Sequence, residues 1–237
     1  MKKENGDLIL AVDIGGSHIK GTIMDSEGVL QMAYQKVDTP SPTSPENVIA
    51  AIKKLIHAFP GYDKVSIGFP GYVKEGVTIT APNLGTKVWQ GFNLRKALED
   101  ALDHPVQLYN DADMQGVGIA SGNGFEIVLT LGTGFGSAFL MNGILLPHIE
   151  LSQHPILKKK TYDEYLGQKA FDKIGKKEWN KRMKKVLTIF KTVFNYDRLY
   201  VSGGNGEKIE FKLDSNIKIV SNQDGIKGGA KLWQMAP

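Results

Sequence analysis

An acidic residue, a glycine turn and a lysine follow the first apolar run of the chain. Residues 8–12 are apolar, which is typical of a buried strand, and Asp13, Gly15, Gly16, Ser17 and Lys20 come directly after them. The glycines permit a turn whose backbone N–H groups suit a phosphate, and Asp13 is placed to hold a cation or its waters. The alternative is a hairpin turn with a purely structural role.

Three later apolar runs end in residues of similar chemistry: Asn110-Asp111, Gly132-Thr133-Gly134 and Gly203-Gly204. In an α/β sheet such strand ends collect at one edge, where ligands bind. Asp111 is the candidate general base, because a carboxylate there can take a proton from an attacking hydroxyl. The alternative is that Asn110 or Asp111 caps the following helix. Both roles are compatible if one residue caps and the other catalyses.

Two common nucleotide motifs are excluded by their context. The glycines of residues 132–136 are followed by a strand, whereas a dinucleotide-binding loop is followed by a helix. The chain contains no Walker A sequence. Any nucleotide would therefore be held by hairpins and not by a P-loop.

The elements that must position these residues occur twice. An apolar strand, a glycine turn, a strand, a second turn and a further apolar run follow one another at Leu8–Leu30 and again at Ile127–Leu146. Two related lobes with a ligand between them follow naturally from this duplication.

Helices are predicted outside these repeated units. Apolar spacing predicts a helix over residues 45–59, with Ser44 as its N-cap. In the second half, helices are predicted over residues 162–174 and 177–194. Residues 29–37 are predicted to return as a third strand beside the first hairpin.

The composition is that of an ordinary globular protein. The 237 residues are 41% apolar and 23% charged. There is no cysteine, which excludes disulfides, thiolate metal sites and a cysteine nucleophile. The first apolar run is too short for a signal peptide or a membrane span, so we expect a cytoplasmic protein without a membrane partner.

The net charge of +4 is unevenly distributed. Twelve of the 29 basic residues lie between Lys158 and Lys191. This pattern predicts either a solvated helix face or a surface for a polyanion, whether nucleic acid or a phosphate polymer.

Taken in order, the motifs resemble the ROK family of sugar kinases, and most closely its polyphosphate glucokinase-like branch. The first hairpin is similar to the family's first phosphate motif, and Thr130–Gly136 is similar to the second. Three further family motifs occur in the expected order: Gly68-Phe69-Pro70-Gly71, Ala81-Pro82-Asn83-Leu84 and Asn110-Asp111-Ala112. Two stretches are similar to the polyphosphate branch in particular: Thr39–Pro45 and Trp179–Arg182.

The resemblance implies an α/β protein with the actin-like ATPase fold of the ribonuclease H-like class, duplicated as two lobes around a cleft. We expect residues 1–112 to form an N-terminal lobe with the first phosphate motif and the sugar loops. Residues 113–237 would form a C-terminal lobe with the second phosphate motif, the helical region and, if the donor is a nucleotide, an adenosine site.

The resemblance also implies phosphoryl transfer from polyphosphate, ATP or both to the 6-hydroxyl of glucose, with Mg²⁺, as a step of carbohydrate metabolism. Asp111 would be the base, and Asp13 would hold Mg²⁺ through water. The implied sugar-binding residues are Asn83, Asn110, Asp111, Glu150, Gln153 and His154. The implied donor-binding residues are Asp13, Gly15, Gly16, Ser17, Lys20, Gly132, Thr133, Gly134, Gly203 and Gly204.

Two departures from the family pattern bear on these expectations. The family usually has Glu-x-Gly-His after the second hairpin, whereas this chain has Glu150-Leu151-Ser152-Gln153-His154. Either His154 shifts into place or Gln153 supplies the hydrogen bond, so a kinase for another hexose or an amino sugar is an alternative. The cysteine-rich zinc motif of many relatives is absent, and we predict no structural zinc.

A different class of function is a catalytically silent sugar-binding protein, since some relatives are repressors. Repressors carry a DNA-binding segment ahead of the first phosphate motif, and only seven residues precede Leu8, so we expect no nucleic-acid partner. The expected partners are the sugar, the phosphate donor and a polyanion on the basic region Lys158–Arg182. A homodimer is expected from the resemblance alone.

Overall fold

The computed structural model describes residues 6–235. The strands are, in chain order, β1 (Ile9–Ile14), β2 (His18–Met24), β3 (Gln35–Asp38), β4 (Lys64–Phe69), β5 (Val73–Lys74), β6 (Val77–Thr78), β7 (Phe92–Asn93), β8 (Val106–Asn110), β9 (Phe125–Leu131), β10 (Phe135–Met141), β11 (Ile144–Leu145), β12 (Pro155–Leu157), β13 (Lys160–Thr161), β14 (Arg198–Ser202) and β15 (Ile217–Ile219). The helices are α1 (Pro45–Ile56), α2 (Thr86–Trp89), α3 (Leu94–Leu102), α4 (Asp111–Ile119), α5 (Tyr162–Leu166), α6 (Gln168–Phe194), α7 (Asn222–Ile226) and α8 (Gly228–Met235). Within the described range no helix is long and apolar enough to cross a membrane.

The chain forms two compact units. Unit 1 runs up to Met114 and resumes at Ile226, and unit 2 comprises Gln115–Gly225. Residues 113–237 were all expected in the C-terminal lobe, whereas the last helix belongs to unit 1. This helix buries Ala230 and Leu232, and it is hydrogen-bonded to β4: Ser66 donates to the Gly229 carbonyl at 2.6 Å and accepts from the Trp233 indole at 2.9 Å.

Unit 1 is built on a five-stranded sheet of order β3-β2-β1-β4-β8. β1, β2 and β3 pair antiparallel, whereas β1 pairs parallel with β4 and β4 pairs parallel with β8. The carboxyl ends of β1, β4 and β8 therefore lie at one edge of the sheet.

Helix α1 begins where the sequence predicts. Pro45 occupies the first turn, and the Ser44 hydroxyl accepts the N–H of Asn47, so one unpaired donor of the helix terminus is satisfied. One face of the helix buries apolar side chains spaced at helical intervals: Val48, Ile52 and Leu55.

The predicted third strand of unit 1 is shorter than expected. Only β3 pairs along β2, and a single bridge joins Met24 to Leu30. The Asp25 carboxylate accepts the N–H groups of Glu27 and Val29 at 3.0 and 2.9 Å, which closes a turn where the strand was expected to begin.

Unit 2 repeats the arrangement of unit 1. Its sheet has the order β11-β10-β9-β14-β15, with β9, β10 and β11 antiparallel and β9, β14 and β15 parallel. The duplication predicted from the sequence is thus present as the same strand order in each unit. Glycine hairpins join β1 to β2 and β9 to β10.

Helix α6 covers one face of the second sheet. In the helix predicted over residues 177–194, Trp179, Met183, Val186 and Phe190 are buried as a core-facing stripe requires, whereas Val193 near the helix end is exposed. The helical hydrogen bonding is interrupted at Gly175, whose φ is 74° and ψ is 167°. The two helices predicted over residues 162–174 and 177–194 therefore correspond to α5 with α6, and the predicted break falls at this glycine.

Candidate active site

Gly68 lies near the carboxyl end of β4, the central one of the three parallel strands of unit 1, opposite Asp13 in the β1–β4 register. A β-carbon on Gly68 would lie 3.3 Å from the Asp111 Cα and 3.5 Å from the Asp13 Oδ1. It would also lie 2.8 Å from the Met114 side chain, closer than atoms approach without displacement. The absence of a side chain here lets the predicted cation ligand and the predicted base come together.

Asp13 sits in a mixed environment. It is paired across the hairpin with Lys20 and keeps partial solvent exposure. Burial raises the pKa of Asp13, and the Lys20 ammonium opposes that rise. Burial and then the Asp13 charge raise the pKa of Tyr34 to about 12, which places this phenol within the field of the carboxylate. No sequence pattern pointed to Tyr34.

The turn between β1 and β2 is fixed by one hydrogen bond within the turn and by two hydrogen bonds from Thr39. Gly15 donates to the His18 carbonyl at 3.0 Å, and the Thr39 hydroxyl donates to the Gly15 carbonyl at 2.6 Å. The Thr39 N–H donates to the Ser17 carbonyl at 3.0 Å. Gly16 and Ser17 stay exposed at the tip, as an anion-binding turn requires.

Asn110 and Asp111 have different surroundings although they are adjacent. Asn110 is 6% exposed, and its Oδ1 accepts the N–H groups of Ala112 and Asp113 at 2.8 and 3.2 Å. Its Nδ2 donates to the Gly71 carbonyl at 3.1 Å. Asn110 therefore caps α4, while Asp111 accepts the Ala112 N–H through Oδ1 and keeps partial exposure.

Asn83 lies on an exposed turn that is fixed by its neighbours. The Ala81 N–H donates to the Thr86 hydroxyl at 3.1 Å. Gly71, the residue bonded to Asn110, lies directly against Thr80 and Ala81. The structure thus connects the Asn83 turn to Asn110 through the Gly71 loop.

In unit 2, the β9–β10 turn is clamped by the start of the helical region. Gly132 donates to the Gly134 carbonyl at 3.1 Å, and Gln168 donates to the Thr133 carbonyl at 3.1 Å. The Asp163 Oδ1 accepts the Phe135 N–H at 2.8 Å. Burial raises the pKa of Asp163, the Phe135 bond lowers it, and the nearby Glu150 charge raises it further.

The Gly203–Gly204 turn lies against this hairpin. Gly203 has a φ of +89°, and a β-carbon there would collide with the Leu131 carbonyl. The next residue, Asn205, donates its N–H to that carbonyl at 3.0 Å and its side-chain amide to Gly132 at 3.1 Å. The two predicted donor motifs of unit 2 are therefore adjacent.

The Glu150 carboxylate accepts a hydrogen bond from Ser152 and lies near the His148 imidazole. Ser152 donates to its Oε1, and the His148 Nε2 lies 3.5 Å from its Oε2. Burial raises the pKa of Glu150, but the nearby His148 and the hydrogen bond from Ser152 outweigh burial and bring the pKa below its ordinary value. Gln153 and His154 follow on the exposed side of this segment.

The described residues contain no cluster of three or more histidine, aspartate or glutamate side chains that could hold a metal ion. Mg²⁺ does not require such a cluster, because it binds through one or two carboxylates and keeps several waters. The partly exposed carboxylate of Asp13 fits that requirement.

Several residues that build the site were missed by sequence reasoning: Tyr34, Thr39, His148, Asp163 and Asn205. Two of them carried a usable signal. Thr39 begins the proline-rich stretch of residues 39–45, and Asn205 directly follows Gly204. Tyr34 and Asp163 act through tertiary contacts that no local pattern encodes, and His148, two residues before Glu150, belongs to no motif that assigns it a role.

Two sheets of the same strand order, each with a glycine hairpin and a parallel half, define an actin-like ATPase fold of the ribonuclease H-like class. Comparison with known protein families identifies one family within this fold class. The ROK family matches residues 9–147, more than half of the chain. The chain belongs to the ROK family, and the predictions of family and fold are confirmed.

Individual relatives agree with this assignment. Polyphosphate glucokinase of Mycobacterium leprae is 33% identical over 229 residues, covering 92% of this chain and 69% of the relative. The inorganic polyphosphate/ATP-glucomannokinase from Arthrobacter sp. strain KM has a TM-score of 0.87 at 28% identity, covering 97% of this chain and 99% of that chain. A ROK family glucokinase from Streptomyces griseus, solved with glucose and AMPPNP, has a TM-score of 0.80 at 19% identity, covering 95% and 98%. The last likeness concerns the fold alone.

Proposed function

We propose that this chain is a glucose kinase that transfers a phosphoryl group from polyphosphate or ATP to the sugar 6-hydroxyl. The observation that carries the proposal is the approach of Asp111 and Asp13 across Gly68 at the ligand edge of unit 1. The printed names of the relatives at 33% and 28% identity, a polyphosphate glucokinase and a polyphosphate/ATP-glucomannokinase, support the same reaction.

A protein catalyses phosphoryl transfer mainly by positioning the reactants and neutralising the charge of the phosphates. The Asp111 carboxylate accepts the proton of the 6-hydroxyl while the hydroxyl oxygen bonds to the terminal phosphorus of the donor. The bond from that phosphorus to the bridging oxygen breaks, and the shortened donor leaves with the electron pair. Lys20 and the exposed N–H groups of the Gly16–Ser17 turn face the donor charge.

In this proposal the two units carry separate tasks. Unit 1 carries the base and one phosphate turn, and unit 2 carries the second phosphate turn and the sugar-recognition carboxylate Glu150. Mg²⁺, held through water by Asp13, would neutralise charge on the donor phosphates when bound. Asn83, Gln153 and His154 remain proposed sugar contacts, and Gly203 with Gly204 a proposed adenosine contact.

The base assignment is tested by Asp111→Ala. We expect kcat to fall by about 10²–10⁴ while glucose still binds, because the hydroxyl loses its proton acceptor. Initial rates of glucose 6-phosphate formation with each donor measure this loss, and calorimetry measures glucose binding. The exposed Asp100→Ala serves as the matched control and should keep full activity. Substantial turnover by the Asp111 variant would remove this residue as the base.

The donor is proposed to be a polyanion that extends along the first turns of α6. That helix starts at the second phosphate turn, through the bond from Gln168 to Thr133, and carries exposed lysines one turn apart at 169 and 173. Several other lysines of the region are already paired with carboxylates: Lys176 with Glu210, Lys181 with Glu178, and Lys191 with Asp214.

The double substitution Lys169→Gln with Lys173→Gln tests this path. We expect the KM for long-chain polyphosphate to rise several-fold while the KM for ATP stays unchanged, because a short donor ends before the lysines. Added salt should raise the polyphosphate KM of the unaltered protein, since exposed charges are screened over about 10 Å at 0.1 M. Lys184→Gln with Lys191→Gln is the control of equal charge. Equal effects of the two pairs would refute a defined path.

Two further expectations from family resemblance belong to the proposal. A homodimer is proposed, and the mass measured by light scattering in solution decides it. A cytoplasmic location is proposed as well, and fractionation of cells that express the chain tests it.

A further inference from the structure

A side chain of α6 fixes a short segment beside the β9–β10 turn. Asn180 belongs to the stretch Trp179–Arg182 and is 9% exposed. Its Nδ2 donates to the Lys208 carbonyl at 3.0 Å, and its Oδ1 accepts the Glu210 N–H at 2.8 Å. Both ends of the amide are thus engaged with the connection between β14 and β15, which is thereby held against the helix.

The same connection is tied to the β9–β10 turn on its other side. The Lys208 N–H donates to the Asn205 carbonyl at 3.1 Å. Asn205 in turn donates its own N–H to the Leu131 carbonyl and its side-chain amide to the Gly132 carbonyl. Lys208 is therefore held from two sides, and it lies four residues after Gly204, a proposed adenosine contact.

Lys208 covers an aromatic ring. Its Nζ lies 3.8 Å from the centroid of the Phe171 ring, a cation–π contact. Phe171 belongs to the first turn of α6, where its N–H donates to the Gly167 carbonyl at 3.1 Å. A β-carbon on Gly167 would lie 2.9 Å from the Thr133 carbonyl oxygen, so this end of the helix directly adjoins the turn. Trp179 packs edge-on against Phe171, with ring centroids 5.7 Å apart.

The covered ring bears on the choice of donor. A nucleobase gains affinity by stacking on an aromatic side chain, whichever base it is. Phe171 is half-buried and so presents part of its surface. Neighbouring rings are buried in the core of unit 2: Phe135, Tyr162, Tyr165 and Trp179. Of these rings, the one accessible to a nucleoside is the one that Lys208 covers.

We propose that Lys208, positioned by Asn180 over the Phe171 ring, makes this protein select polyphosphate over a nucleoside triphosphate as its phosphoryl donor. This selection rests on the proposed kinase function and names its donor. The base of a nucleoside triphosphate has to displace the ammonium group before it can stack. A phosphate chain instead meets a cation at the same place, in addition to the exposed Lys169 and Lys173 of the same helix end.

The first test uncovers the ring with Lys208→Ala. We expect the KM for ATP to fall about five- to tenfold, because the base can then stack on Phe171. The KM for long-chain polyphosphate should rise up to about fivefold, the effect of one lost charge contact. Initial rates of glucose 6-phosphate formation give the ratio of kcat/KM between the two donors, which should move toward ATP. Lys212→Ala, at an exposed lysine of the same connection, is the matched control.

The second test separates covering from charge. Lys208→Met keeps a long side chain over the ring without its charge, so the polyphosphate KM should rise while the ATP KM stays unchanged. Phe171→Leu combined with Lys208→Ala removes the ring itself, and the gain in ATP affinity should disappear. Melting temperatures separate these effects from misfolding. If Lys208→Ala does not fold, Lys208→Ser, which is also too short to reach the ring, takes its place.

The possible outcomes separate donor selection from the function on which it rests. An unaltered protein that forms no glucose 6-phosphate with either donor would overturn the proposed function. Calorimetric titration of ATP and polyphosphate into the unaltered protein and Lys208→Ala would then still test the selection.

An active protein whose donor ratio is unmoved by Lys208→Ala, or moved equally by Lys212→Ala, would overturn the selection alone. An ATP gain that persists without the Phe171 ring, or that also appears in Lys208→Met, would refute the covering of the ring.

Discussion

At the level of single residues, Asn110 and Asp111 divide two tasks that either could perform. A helix cap needs an oxygen acceptor but no charge, and the neutral amide of Asn110 provides it while its Nδ2 holds the Gly71 loop. Asp111 is then spared full burial in the cap. A carboxylate that stays partly exposed can meet a substrate hydroxyl, which is the property a general base requires.

Asp163 shows how a residue outside every predicted motif can shape the site. Asp163→Ala removes the acceptor of the Phe135 N–H, and we expect unit 2 to lose about 1–3 kcal/mol of stability with a higher KM for the phosphate donor. Asp163→Asn keeps an acceptor oxygen and should retain both. Urea unfolding and donor titrations measure the difference, and equal behaviour of the two variants would contradict this role.

The same pair of variants predicts a pH dependence. Because burial raises the pKa of Asp163, the folded state binds the proton more tightly than the unfolded chain does. The contribution of this group to stability therefore decreases as the pH rises through the interval between the two pKa values. Asp163→Asn lacks the titration, so its stability relative to the unaltered protein should improve as the pH rises above about 4, the ordinary range of an aspartate.

At the level of elements, the strands and helices that have a clear local apolar pattern were predicted correctly. Strands β1, β2, β8, β9, β10 and β14 and helix α1 lie where apolar spacing and the N-cap predicted them. The predicted third strand is shorter than expected because the Asp25 side chain closes a turn by accepting backbone N–H groups. The hydrophobic pattern contains no information about such a side-chain hydrogen bond. Strand β13, with two residues, is too short to show an apolar pattern.

The candidate site was predictable where its residues sit on strand ends. Asp13, Asp111 and the two glycine turns follow from that rule. The residues that hold them in place do not, because Thr39 reaches Gly15 across 24 residues and Asp163 reaches Phe135 across 28. Such contacts arise from tertiary packing, which has no period along the chain.

At the level of the whole molecule, the positive charge is concentrated in one segment of the chain. Residues 158–191 hold 12 of the 29 basic and 4 of the 25 acidic residues, a net charge of +8, so the remainder of the chain has a net charge of −4. This segment lies entirely in unit 2. The positive field of the molecule is thus concentrated around α6, where a long anionic donor would be attracted from a distance.

In unit 1, the last helix α8 is hydrogen-bonded to strand β4. Ser66 is fully buried in β4, and its hydroxyl connects the strand to Gly229 and Trp233 of the terminal helix. Ser66→Ala leaves the buried Gly229 carbonyl and the partly buried Trp233 indole N–H without this partner, and we expect a loss of about 1–3 kcal/mol in the free energy of unfolding. Thermal or urea unfolding measures it, with the exposed Ser215→Ala as the control. Since a hydroxyl bridge is the only thing removed, an unchanged melting temperature would mean that α8 is held to unit 1 by apolar packing alone.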